Sequence, residues 1–142
     1  MRQRAILAWK LLAGAMLIGE IAATGAVAAQ PITNEEQCAQ AAARSFRLSG
    51  WKTENGSAYH SHYNRTLGAC LIETEGRSQY GITKTVSDAV EGRTFAIYMW
   101  VMNGDKPMMC RLIPTEKEKR DCTTEEEYKT FAASLMEQPQ RR

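Results

Sequence analysis

The chain has 142 residues, 44% of them hydrophobic, with 18 Lys or Arg against 16 Asp or Glu and a formal charge of +2. That is enough for one domain with a modest core, and the mixed charge lacks the clustered cations that neutralising nucleic-acid phosphates would need. The densest basic stretch, Lys117 to Arg120, is diluted by Glu116, Glu118 and Asp121 and reads as a solvated loop.

At the amino terminus Arg2, Arg4 and Lys10 precede a short apolar run, Leu11 to Gly19, and then the small-residue stretch Ala22 to Ala29. This is the pattern of a cleavable secretory signal, so residues 1–29 are expected to be removed, with the cut before Ala29 or Gln30. An uncleaved anchor would need about 20 predominantly apolar residues. Extending the run across Glu20 would bury a carboxylate at a cost on the order of several kcal/mol. Cys38 follows Glu35, Glu36 and Gln37, not a small apolar tetrapeptide, so neither a lipid anchor nor a stable membrane attachment is expected. The Arg-rich start points to bacterial export and a periplasmic or secreted protein; on a eukaryotic route Asn55 and Asn64 would be glycosylation acceptors. Arg2, Arg4, Lys10 and Glu20 would leave with the leader, which makes the remainder formally neutral.

Residues 30–137 read as a single domain, with 138–142 as a frayed tail. Asn34 can cap a helix, and Gln37 three residues on completes a capping box. Cys38, Ala42 and Phe46 then give a buried stripe at i, i+4, i+8, and Gly50 supplies the stop, which predicts a helix over 34–48. From Trp51 to Ile113 the period shifts towards two. Strands are expected at Ser57–Tyr63, Leu67–Thr74, Tyr80–Val86 and Thr94–Met102, with a turn at Glu75–Ser78 and a single helical turn or tight loop at Ser87–Gly92. Asn103 and Gly104 mark a hairpin that returns through Met108–Ile113. Thr123 and Glu126 suggest a second capping box, and Tyr128, Phe131, Ala132 and Leu135 carry the helical spacing. Helices flanking one run of strands imply an α+β fold with an antiparallel sheet of four or five strands. Two helices packed on one face would leave the other face for solvent or a partner.

Cys38, Cys70, Cys110 and Cys122 are an even number in an exported chain, so a disulfide framework is expected. Four cysteines allow three pairings; Cys38–Cys70 with Cys110–Cys122 is favoured because the second bridge closes a short loop between two elements. On the chain-entropy model these loops contribute about 3.7 and about 2.9 kcal/mol. Zinc fits poorly, because no two cysteines have C-x2-C spacing.

The most suggestive constellation is His60 and His62, which project from one face of a strand. Two imidazoles at that spacing can chelate copper or zinc if a third ligand approaches from a neighbouring strand. Met99, Met102, Met108 and Met109, close to Trp100, incline that reading towards copper. Against it stands the plainer account of a hydrogen-bonded or exposed histidine pair and methionines that fill a core. No catalytic residue is identified: neither histidine sits in a nucleophile signature, and Asp88 and Glu91 are explained as well by a turn. An unrecognised hydrolase therefore stays the weakest reading. Trp51, Tyr80 and Tyr98, with Tyr59, Tyr63 and Trp100, are many amphipathic rings for one small domain, and Tyr59, Tyr63 and Trp100 are the candidate interface residues.

His62, Tyr63 and Asn64, then Leu67 and Cys70, then Asp88 to Arg93, then Cys110 and Cys122 ahead of a terminal amphipathic helix resemble the pattern of small exported four-cysteine proteobacterial proteins of unassigned function. The resemblance spans residues 38 to 136 and implies no mechanism and no catalytic residues. The expectation is a small binding protein: an accessory, inhibitor or immunity-type factor for an envelope or extracellular protein, with metal binding at His60 and His62 as the alternative. No cofactor beyond copper or zinc is suggested.

Overall fold

The computed structural model describes residues 31–137; the expected leader at 1–29 and the expected frayed tail at 138–142 lie outside them. The element order is α1 (Glu35–Leu48), a short 3-10 helix (Thr53–Asn55), β1 (Ala58–Asn64), β2 (Ala69–Ser78), β3 (Gly81–Asp88), β4 (Thr94–Val101), β5 (Met109–Leu112), β6 (Arg120–Asp121) and α2 (Glu125–Met136). The strands form one antiparallel sheet in the order β1-β2-β3-β4-β5-β6. The fold is therefore α+β, with one strand more than the upper expectation. The extra strand, β6, is two residues of the charged loop, held beside β5 where the Cys122 N–H donates to the Cys110 carbonyl at 3.0 Å. Arg120 and Asp121 carry no apolar alternation, so nothing in the sequence marks them as a strand.

The disulfides are Cys38–Cys70, tying α1 to β2, and Cys110–Cys122, closing β5 onto the β6 edge, with Cα separations of 5.2 and 4.9 Å. Both lie in the ordinary range for a bridge, and two closed disulfides belong to an oxidising environment. Among the described residues no helix is long and apolar enough to cross a membrane.

The helix caps form much as expected. The Asn34 side chain accepts from the Gln37 N–H at 2.9 Å, and the Gln37 side-chain oxygen accepts from the Thr33 N–H at 3.0 Å. At α2 the cap falls one residue later than the sequence suggests. Thr124 Oγ1 accepts from the Glu127 N–H, while the Glu127 carboxylate reaches back to the Thr123 N–H. Either threonine could begin a box; Thr124 is chosen because that phase turns Tyr128, Ala132 and Met136 inward.

The two helices lie on opposite faces of the sheet, which corrects the expectation of one covered and one open face. Alternation along β2 makes the division plain. Cys70 and Ile72 pack with Cys38, Ala41, Ala42 and Phe46 of α1. Ala69 and Leu71 point the other way, into a larger cluster with Val86, Ala96, Leu112, Tyr128 and Ala132. A register shift at Val86/Ser87 lets the consecutive residues Phe95 and Ala96 both join that cluster, which strict alternation would forbid. A sheet between two helices needs apolar side chains on both faces, and β2 supplies them with four buried residues in succession, Ala69 to Ile72.

The turn expected at Glu75–Ser78 is absent: β2 runs on to Ser78. Gly76 is required for packing, because a Cβ there would sit inside the Trp51 ring, which lies flat against the strand. The hairpin after β4 is also longer than Asn103 and Gly104 imply, running from Met102 to Met108. Asn103 still adopts the left-handed conformation, at φ 69°.

Candidate functional site

α1 packs on β1 and β2, so among the described residues the same face of β3, β4 and β5 carries no helix. By register and alternation this open half presents Thr83 and Thr85 of β3, Ile97, Met99 and Val101 of β4, and Met109 and Arg111 of β5. None of the three β4 side chains is fully buried. The surface continues around the end of the sheet. There Tyr80, in the β2–β3 turn, is 72% exposed, and Met102 and Met108, in the β4–β5 connection, are 56% and 61% exposed.

Backbone hydrogen bonds hold these residues together. The Met102 N–H donates to the Tyr80 carbonyl at 2.8 Å, the Met108 N–H donates to the Met99 carbonyl at 2.8 Å, and Met99 stands opposite Met109 in the ladder. The connection itself is braced, with Trp100 Nε1–H donating to the Gly104 carbonyl at 3.0 Å. The result is that Tyr80, Met99, Met102, Met108 and Met109 are grouped at one end of the sheet by their backbones.

The residues singled out in the sequence are dispersed. His60 and His62 share the α2 face of edge strand β1, while Met99 and Met109 lie on the opposite face of β4 and β5, with β2 and β3 between. A copper site combining imidazole and thioether ligands is therefore not assembled. Among the described residues no group of three or more His, Cys, Asp or Glu is placed to hold a metal ion. His62 instead forms a clip. Its Nδ1 lies 3.0 Å from Glu35 Oε1, while Glu35 Oε2 accepts from the Tyr63 N–H at 2.9 Å. The three candidate interface rings are also separated. Tyr59 is 39% exposed and stacks on Phe46 at 4.7 Å. Tyr63 packs beside the Cys38–Cys70 cluster. Trp100 is half-buried against the α2-side core. Asp88 is buried, and its Oδ1 accepts from the Val90 and Glu91 N–H groups, which fixes the turn after β3.

A second polar feature, which no local sequence pattern marks, lies on the α2 face. Lys84 of β3 reaches Glu75 at 3.1 Å and Glu125 at 2.8 Å, Arg77 also pairs with Glu75, and Lys129 pairs with Glu125 at 3.1 Å. Burial alone would raise the Glu75 carboxyl, but Lys84 and Arg77 outweigh it and hold the group below the usual carboxylate range. The hydrogen bond from Lys84 does the same for Glu125, against a smaller effect of burial. Burial opposes the charge on Lys84, yet its two carboxylates raise its affinity for the proton. Burial also pushes the Tyr128 hydroxyl far above the ordinary phenol range, with Glu73 and Glu75 adding to the shift. The Lys84 ion pairs link Glu125 at the start of α2 to Glu75 of β2 across the sheet. Lys84 sits within an alternating strand in the position of an outward residue, and only its register with Glu75 shows that it faces a helix.

Compared with protein-family models, curated proteins and solved structures, the chain matches none of them.

Proposed function

We propose that this is a small binding protein of an oxidising, extracytoplasmic compartment, the bacterial periplasm, that docks a partner protein without catalysing a reaction. One observation carries the reading: exposed Tyr80, Met102, Met108 and Met109 are gathered at one end of the sheet, beside the half that α1 does not cover. Single exposed apolar residues are ordinary, whereas a contiguous patch marks an interaction site. Tyr and Met are enriched at interfaces, and the flexible thioether adapts to surfaces of differing shape. The two disulfides fit the compartment. An accessory, inhibitory or immunity-type role follows for such a surface.

Site-specific photocrosslinking in periplasm tests it. A photoreactive side chain at Met109 should give a discrete adduct that is lost in a Tyr80→Ser variant, while the same probe at exposed Glu126 on α2 should give none. Equal adducts from both positions, or none from Met109, would remove the reading.

A further inference from the structure

β1 is an edge of the sheet, and among the described residues a side chain closes its hydrogen-bonding side at Tyr63. The Glu35 carboxylate takes the outward N–H of Tyr63. Because outward and inward groups alternate along an antiparallel strand, Ser61 and Tyr59 also turn their N–H and C=O groups away from β2. A strand with such an edge is a template for another chain. The two sides of this edge differ in chemistry. On the α1 face an open cleft of about 710 Å³ is lined by Phe46, Trp51 and Tyr59, with Arg47 and Lys52 at its rim. On the α2 face a smaller cleft of about 240 Å³ holds His60, Glu73, Glu75 and Lys84. There Glu75 and Lys84 satisfy each other. Glu73 stands opposite His60 in the ladder and has no ion-pair partner among the described residues.

We infer that β1 accepts an extended peptide as a seventh strand, and that the peptide alternates apolar and basic side chains. Main-chain bonds to Tyr59 and Ser61 would supply affinity, and the alternate side chains would supply selectivity. Those on one side enter the aromatic cleft. Those on the other pass over His60 towards Glu73, whose strand lies two spacings, about 10 Å, from the added one. Only a side chain as long as Lys or Arg closes that distance, and only a cation meets the unpaired carboxylate favourably. Glu35 limits the length of the added strand, because its carboxylate already occupies the Tyr63 position. The inference rests on the reading that the protein acts by binding, but on a different surface from the Tyr80 and Met109 patch.

The test uses the oxidised protein and a synthetic blocked pentapeptide, Lys-Phe-Lys-Val-Lys, with its Glu-for-Lys counterpart as control. The lysine peptide should bind, slow hydrogen exchange at the Tyr59 and Ser61 amides, and lose at least five-fold in affinity in Glu73→Gln, whose melting temperature reports that the fold is intact. It should bind Tyr80→Ser unchanged, which separates this edge from the other surface. Equal binding of the glutamate peptide overturns the inference, as do an unchanged affinity in Glu73→Gln, no binding at all, or protection confined to Met99 and Met109. So does a concentration-dependent dimer that protects the same two amides without peptide, since a second copy would then be the occupant.

Discussion

The two faces of the sheet are each met by one amphipathic helix, yet they are finished very differently. On the α2 side a large cluster runs from Ala69 and Leu71 through Val86 and Ala96 to Leu112 and Tyr128, and the Lys84 ion pairs close its margin. On the α1 side the helix and Trp51 cover β1 and β2, and among the described residues no helix covers β3, β4 or β5. The same strands thus carry one face closed along most of its length and one closed over β1 and β2 alone. The difference teaches that an uncovered half-sheet is tolerated when the opposite side holds most of the core.

Adjacent residues of β2 put that division to its hardest test. Leu71 and Ile72 are 0% and 2% exposed and point to opposite faces. Truncating a buried aliphatic side chain to alanine costs about 2–5 kcal/mol. Leu71→Ala should lie near the top of that range and Ile72→Ala near the bottom, as read by urea unfolding. Equal losses would break the comparison. The disulfides come next: removing Cys38–Cys70 and Cys110–Cys122 by paired alanine substitution should cost about 3.7 and about 2.9 kcal/mol on the chain-entropy model. A larger loss for the shorter loop would show that the bridge also holds β6 in the sheet.

Gly76→Ala sharpens the α1 side. The added methyl must displace the Trp51 ring, so a loss of about 1–3 kcal/mol is expected, with a change in tryptophan emission as Trp51 moves towards water. Lys84→Met probes the opposite margin and should cost about 1 kcal/mol, since its partners are only partly buried. Its pH dependence has a definite sign. Glu75 and Glu125 titrate below their ordinary values in the folded state. Their contribution is therefore complete above about pH 4.3 and is lost as pH falls through the depressed folded values. Lys84 titrates above its ordinary value, so its contribution is present below about pH 10.4 and is lost only as pH rises through the raised value. Thermal melts of Lys84→Met should lose less stability on acidification than the parent. The smallest change in stability belongs to Tyr80→Ser combined with Met108→Ser, within about 0.5 kcal/mol, although partner crosslinking from the probe at Met109 should vanish.

Much of this was legible locally. The Asn34 cap and the Cys38, Ala42, Phe46 stripe announce α1 because both signals act within a few residues. Gly76 is the instructive failure. A glycine between Glu75 and Arg77 reads as a turn, yet it is needed because Trp51, distant along the chain, lies on it. The candidate surface was half legible. Tyr80 and the methionines stand out by residue type, but thioethers read as core until the fold exposes them. The Glu35–His62 clip was invisible, because it joins a helix start to an edge strand brought beside it by the Cys38–Cys70 bridge.

By itself the sequence determined the helices, most of the strands, the α+β class and the favoured disulfide pairing, all of which rest on short-range periodicity, caps and loop length. Which face each helix covers, that β2 runs past Gly76, and that Tyr80 stands beside Met102 were decided only by tertiary structure. Alternation says that two faces exist. Helix crossing and ladder register, set by contacts between distant residues, choose which of them is closed.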